Sequence, residues 1–111
     1  MDAELTKCFA FSASHSSGGR AVGRNYVLSI TVPAMREDRE SEFEAVVRRE
    51  LISKLHTRDL SEHVDFLKNV EKTDAALLGA FWTQLEGPLR PYGPKRFALQ
   101  RDLRTLTTLH L

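Results

Sequence analysis

The spacing of apolar residues changes twice along this 111-residue chain, and that change restricts the folds available to it. In residues 5–15 and 25–32, apolar side chains recur at every second position, which is typical of β-strands. The Ser-Ser-Gly-Gly stretch at 16–19 is a turn signal, and Pro33 ends the second segment. These two segments therefore predict an antiparallel hairpin.

The middle of the chain has helical spacing instead. In residues 43–55, apolar side chains lie three and four positions apart after a run of acidic residues, as in an amphipathic helix. Residues 57–72 are polar and irregular. Thr73 then has the character of an N-cap, and Gly87-Pro88 is expected to end the helix that follows it.

Two more strand-like segments, at residues 95–100 and 103–111, complete a β-β-α-α-β-β order. This order predicts a single α+β domain over residues 1–111, with a four-stranded antiparallel sheet and two helices on one face. Such a sheet keeps two free edges and one open face. Because free edges are usually covered or paired, oligomerisation is expected.

Charge and composition restrict the partners of the chain. Lys and Arg total 16 and Asp and Glu total 15, so nothing favours nucleic acid or an anionic membrane surface. The N-terminus is acidic and no long apolar stretch follows it, so we expect a cytoplasmic protein without a membrane segment. The single cysteine, Cys8, lies in an apolar stretch and is expected to be buried.

Four segments, in the same order along the chain, carry a resemblance to a known family. They are FSASH at 11–15, VGRNY at 22–26, the stretch from Leu55 to Thr73-Asp74, and ALQR at 98–101. The corresponding family patterns are F-x-A-x-H, H-G-H-N-Y, L-D-H-x-x-L followed by P-T-x-E-N, and Y-E-T. The chain resembles the family of 6-pyruvoyl- and 6-carboxy-tetrahydropterin synthases. This resemblance implies the T-fold, in which ββααββ subunits join their sheets side by side into a barrel.

The same resemblance implies a homo-oligomer, commonly a hexamer built as a dimer of trimers, with a flat pterin or purine ring bound between subunits. The synthases hold zinc with three histidines. The matching positions here are His15, Val22 and Arg24. Valine cannot ligate and arginine stays protonated, so we expect no metal ion and no cofactor. His15 is then expected to be a polar residue satisfied by hydrogen bonds.

The positions that match the family's catalytic residues are altered as well. The catalytic cysteine matches Gly18, and the Asp-His pair matches His56 and Thr57. Loss of one member of such a cooperating set already removes most of the rate, so the synthase reaction is not expected. His56 has two interpretations: a general acid or base at neutral pH, or a solvent-facing residue at a helix C-terminus.

Ligand binding can persist without that chemistry. The family's ring-anchoring glutamate matches Gln100, whose amide suits a ring edge with N–H beside C=O. Gln100, Thr73 and Asp74 are therefore the predicted contacts to a pterin- or purine-like heterocycle. Arg24 is a candidate contact to an anionic tail of that ligand. The alternatives are an unused Gln100, an Arg24 salt bridge, and a structural or partner-binding T-fold oligomer without a small-molecule ligand. The sequence does not decide between a binding protein and an enzyme with a changed reaction.

Overall fold

The structure, a computed structural model, describes residues 2–17 and 20–111. Four strands form one antiparallel sheet in the order β1-β2-β3-β4. The strands are β1 (Glu4–Ser17), β2 (Arg20–Pro33), β3 (Arg96–Arg101) and β4 (Thr105–His110). The predicted hairpin is present as β1 and β2, each of 14 residues. Two of its predicted turn residues, 18 and 19, lie outside the described residues.

Two helical segments lie between the strand pairs, which confirms the predicted β-β-α-α-β-β order. The first begins as α1 (Glu37–Val47) and continues through a π-helical turn (Arg48–Ile52) into the short α2 (Ser53–Leu55). The first turn of α1 is acidic, which the helix dipole favours. The second segment is α3 (Asp74–Leu89). Within the described ranges, no helix is long and apolar enough to cross a bilayer.

The predicted end of α3 at Gly87-Pro88 is wrong. Pro88 lies in the last turn of the helix, and Leu89 after it is buried in the core. Proline removes one backbone hydrogen bond and crowds the preceding turn, but burial of Leu89 favours one more helical residue. A short 3-10 turn follows, and the chain leaves the helical conformation at Gly93, whose φ of 64° suits glycine.

Both helical segments pack on one face of the sheet, here called the covered face, and enclose the hydrophobic core. Phe9 in β1 contacts Phe43 in α1 with ring centroids 6.5 Å apart, and Phe97 in β3 contacts Trp82 in α3 at 5.5 Å. Every second strand residue points to the helices, as the alternation in the sequence predicts. The buried strand residues of the covered face are Phe9, Phe11, Ala13, Tyr26, Leu28, Ile30, Val32, Phe97 and Leu99.

The opposite side of the sheet, here called the open face, carries mainly small and hydroxyl-bearing residues. The hydroxyls of Thr6 and Thr31 are 2.8 Å apart and share a hydrogen bond. Cys8 is exposed on this face, with its Sγ 3.4 Å from the Oγ of Ser29. The expectation of a buried Cys8 is therefore wrong, because the alternation of the strand gives the core position to Phe9.

The edge of β1 is partly covered by the segment that follows α2. The N–H of Thr57 donates to the carbonyl of Ser12 at 2.6 Å, and the N–H of Ser14 donates to the carbonyl of Arg58 at 3.0 Å. The N–H of Leu60 donates a third hydrogen bond, to the carbonyl of Ser14 at 2.7 Å, and the Leu60 side chain is buried. This segment satisfies backbone groups that an edge strand would otherwise leave unpaired.

Candidate ligand-binding site

A cavity of about 380 Å³ lies where the covered face reaches the N-terminus of α3. Strands β1, β2 and β3 supply one wall, and the start of α3 with the residue before its cap supplies the other. The lining residues are His15, Arg24, Tyr26, Lys72, Thr73, Asp74 and Arg101. The structure therefore brings together three of the predicted contacts, Arg24, Thr73 and Asp74, and adds residues that the sequence did not indicate.

Thr73 begins α3 as predicted, because its Oγ1 accepts a hydrogen bond from the N–H of Ala76 at 3.3 Å. Asp74, the first helical residue, is engaged by Arg101 of β3. The Nε–H of Arg101 is shared between both carboxylate oxygens of Asp74, at 3.0 and 3.1 Å. This hydrogen bond raises the pKa of Arg101 above its usual range. Asp74 is thus committed to an internal ion pair.

Arg24 lines the cavity and also forms the salt bridge that was its alternative. Its Nη1 lies 3.4 Å from a carboxylate oxygen of Asp102, in the turn between β3 and β4. The other oxygen of Asp102 accepts the N–H of Asn25 at 2.9 Å. That backbone hydrogen bond, with the charge of Arg24 as a weaker cause, holds the pKa of Asp102 below its usual value. Both carboxylates beside the cavity therefore already have partners.

Lys72 is a cavity residue that the sequence did not reveal. Its ammonium donates to the carbonyl of Leu67 at 2.6 Å and to the carbonyl of Val70. An ammonium has three N–H donors, so one of them remains for the cavity. Nothing in the sequence indicates that Lys72 would line the cavity, because its two carbonyl partners belong to an irregular segment whose path no local sequence pattern predicts.

His15 lines the same cavity, and the expectation that its hydrogen bonds are satisfied is wrong for one ring nitrogen. Its Nδ1 is buried and finds no partner among the described residues. In register, His15 lies opposite Val22 and Ala13 lies opposite Arg24. The three positions that match zinc ligands therefore share one end of the covered face. Across residues 2–17 and 20–111, no three His, Cys, Asp or Glu side chains are grouped to hold a metal ion.

Gln100 does not line this cavity, so its predicted contact to a ring stays a prediction. Phe97 and Leu99 are buried on the covered face, so Gln100 points to the open face, paired with Val27 of β2 and Leu106 of β4. Arg101, one residue later, faces the cavity. A shift of one residue exchanges the two faces of a strand, and the parity of Phe97 and Leu99 was the signal that identifies Arg101.

Two positions that match the family's catalytic residues, His56 and Thr57, do not line this cavity. His56 is exposed, and its Nδ1 accepts the N–H of Ser12 at 3.1 Å. Thr57 lies beside it with φ of 63° and lines a second, shallower cavity of about 280 Å³ that also includes Arg24. Gly18 lies outside the described residues. The observed role of His56 is therefore to help fix the covering segment on the edge of β1.

This ββααββ sheet with both helices on one face is the T-fold of the 6-pyruvoyl tetrahydropterin synthases. The solved structure of the Caenorhabditis elegans 6-pyruvoyl tetrahydropterin synthase aligns with it at a TM-score of 0.82, over 100% of this chain and 96% of that chain. The two sequences are 14% identical over this alignment. No family model and no curated protein matches the sequence. The likeness shows the fold alone.

Proposed function

We propose that this chain is a cytoplasmic T-fold protein that binds a flat pterin- or purine-like heterocycle without zinc and without the synthase reaction. One observation supports this most: Arg24, Thr73 and Asp74 line a single cavity of about 380 Å³. That volume is within the range of small-molecule sites, roughly 300–1,000 Å³. Tyr26, whose ring stacks on Phe11 at 5.1 Å, gives the cavity a rigid aromatic wall.

The loss of synthase chemistry is supported by what occupies the matched positions. Arg24 stays protonated beside Asp102 and would repel a zinc ion. The single cysteine, Cys8, lies on the open face, away from the cavity. The Nδ1 of His56 accepts the N–H of Ser12 at 3.1 Å, so this ring nitrogen already has a backbone partner.

A homo-oligomer, a hexamer built from two trimers, is part of the same proposal. Among the described residues, β4 is an edge strand of the sheet, and its Leu106 is 64% exposed. Pairing of sheet edges between chains would satisfy the backbone groups of this edge. Light scattering should give a particle of six chains, each of 12.6 kDa. A monomer at micromolar concentration would contradict this part of the proposal.

A T-fold oligomer without a small-molecule ligand is the second candidate. Two ion pairs at the cavity favour it: Arg101 with Asp74 and Arg24 with Asp102. Through them, part of the cavity lining is already satisfied within the chain. Side chains that pair with each other need no ligand.

A thermal-shift screen of metal-analysed protein separates the two candidates. Pterin, lumazine, xanthine, urate and guanine nucleotides are the probes, and a ligand at 100 times its Kd should stabilise the fold by about 2.7 kcal/mol. The shift given by guanine nucleotides should weaken in Arg24→Gln, because Arg24 is the proposed contact to an anionic tail. It should persist in Gln100→Ala if the ring lies in this cavity, because Gln100 lies on the open face. A folded oligomer that responds to no ring supports the second candidate, and stoichiometric zinc would refute the metal-free site.

A further inference from the structure

We infer that the ligand of this cavity is an anion whose oxyanion is held by Arg101, Arg24 and Lys72. This inference rests on the proposed heterocycle-binding function and specifies the charge of the ligand. The hydrogen-bonding groups of the cavity lining support the inference. The carboxylates already pair with protein groups, and the groups that remain for a ligand are mainly hydrogen-bond donors.

The acceptors at the cavity are used internally. Asp74 receives the Nε–H of Arg101, and Asp102 receives the N–H of Asn25 and one N–H of Arg24. The Oγ1 of Thr73 accepts the N-capping bond, so its hydroxyl hydrogen is what remains to offer.

The donors are used only in part. A guanidinium has five N–H donors. Arg101 uses Nε for Asp74, and its Nη2 has one further contact, to Thr105 Oγ1 at 3.4 Å. Among the contacts of the described residues, Arg24 uses only Nη1, which donates to Asp102 at 3.4 Å. Lys72 donates to two carbonyls among the described residues, which leaves one of its three N–H groups. Three side chains that line one cavity therefore have N–H groups without a partner among the described residues.

The charges lead to the same conclusion. Arg24, Lys72 and Arg101 line the cavity, while Asp74 and Asp102 are the two carboxylates paired beside it. Lys72 bonds only to carbonyls, so its charge is not neutralised by a carboxylate among the described contacts. The N-terminus of the 16-residue α3 adds partial positive charge on the same side. An anion would neutralise this excess.

The ring nitrogen of His15 and the phenol of Tyr26 complete the lining. The buried Nδ1 of His15 has no partner among the described residues, so a bound ligand or water can satisfy it. Burial raises the pKa of Tyr26, with the charge of Asp74 as a second cause, so the phenol stays neutral and can donate. A ligand group that brought only N–H donors to Arg24, Lys72 and Arg101 would leave these donors unpaired, whereas an oxyanion accepts from them.

The test compares two probes that share one ring, pterin and pterin-6-carboxylate, by isothermal titration calorimetry on the full chain. The carboxylate should bind at least about tenfold tighter, as expected for hydrogen bonds to a charged group. Its affinity should fall as NaCl rises from about 0.05 to 0.5 M, while that of pterin should not. Arg101→Met should remove the preference. Arg104→Met removes the same charge from the exposed β3–β4 turn, outside the cavity, and should retain it.

The outcomes separate this inference from the function on which it rests. Equal affinities for the two pterins, with no salt dependence in the wild-type protein, overturn the anionic preference and leave heterocycle binding standing. Inorganic phosphate that binds as tightly as pterin-6-carboxylate supports the anion site and overturns the need for a ring. Failure of every probe to bind a folded protein overturns both. The wild-type salt series decides the question even if Arg101→Met does not fold.

Discussion

Strand β3 presents two very different faces within six residues. On the covered face, Phe97 and Leu99 are fully buried against the helices, and Arg101 follows them at the cavity. On the open face, Ala98 and Gln100 are only partly buried. The covered face therefore changes from apolar to cationic along one strand, at the point where α3 begins.

The difference between the faces shows where this chain concentrates its polar groups. On the open face the polar groups pair across strands, as the hydroxyls of Thr6 and Thr31 do at 2.8 Å. At the end of the covered face, Arg101 pairs with Asp74, and N–H groups nearby have no partner within residues 2–17 and 20–111. The cavity lies at this end. A site at the end of the core has rigid walls from packed side chains and is still reached by solvent.

The largest effect should come from a substitution on the covered face. Phe97→Ala should lower the free energy of unfolding by about 3–5 kcal/mol, because a fully buried ring packed on Trp82 is replaced by a cavity. Gln100→Ala, on the open face of the same strand, should change it by less than about 0.5 kcal/mol. Urea denaturation followed by circular dichroism measures both. A similar loss in the two variants would mean that another chain covers the open face.

The elements of the fold could be predicted because each depends on local pattern. Alternation in residues 5–15 and 25–32 specifies the long hairpin, and the hydroxyl of Thr73 specifies the start of α3. The fold predictions that were wrong concern the end of α3 and the burial of Cys8, where tertiary packing decides the outcome and the local sequence pattern does not. Burial of Leu89 carries the helix past Pro88, and Phe9 rather than Cys8 takes the core position in β1.

The site was predictable only in part, for a different physical reason. Arg24, Thr73 and Asp74 were identified by resemblance, and all three line the cavity. Gln100, also identified by resemblance, does not line it, because Gln100 precedes the cavity residue Arg101 by one position and neighbouring strand residues point to opposite faces. Lys72 could not be found, because its partners are carbonyls of an irregular segment.

A smaller effect should follow from loss of the cap that holds α3 over the covered face. Thr73→Ala removes the acceptor of the Ala76 N–H and should cost about 1 kcal/mol of unfolding free energy. Thr73→Ser keeps a hydroxyl and should lie close to the wild type. Parallel urea titrations of the three proteins check this. Equal stability of the alanine and serine variants would show that the hydroxyl does not cap the helix in solution.

The turn between β3 and β4 belongs to neither face, and a substitution there should raise the free energy of unfolding instead of lowering it. Leu103 has φ of 61° and is 81% exposed, so it has backbone strain and little packing. Leu103→Gly relieves left-handed strain of about 1–2 kcal/mol but gives the unfolded chain more freedom, for a net gain of about 0.5 kcal/mol. Leu103→Ala keeps the strain and should not gain. If Leu103→Gly is instead destabilised, the leucine side chain has a contact in solution, for example with another copy.

The smallest expected effect concerns the pH dependence at the cavity end of the covered face. The pKa of Asp102 is lowered in the folded protein from its usual 3.8, mainly by the Asn25 N–H and less by Arg24. A group of this kind stabilises the fold above its unfolded pKa, and that stability is lost as the pH falls through the folded pKa.

Asp102→Asn keeps the shape of the side chain and an oxygen acceptor for Asn25, but it cannot titrate. The wild type should therefore be slightly more stable than Asp102→Asn at about pH 6, and the difference should narrow as the pH falls below about 4. Thermal unfolding at a series of pH values measures it, with Gln100→Ala expected to follow the wild type throughout. A difference that is constant over this range would mean that the Asp102 carboxylate gains nothing from its charge. In that case Arg24 would be held by Asp102 only weakly, and more of its guanidinium would be available to an anionic ligand.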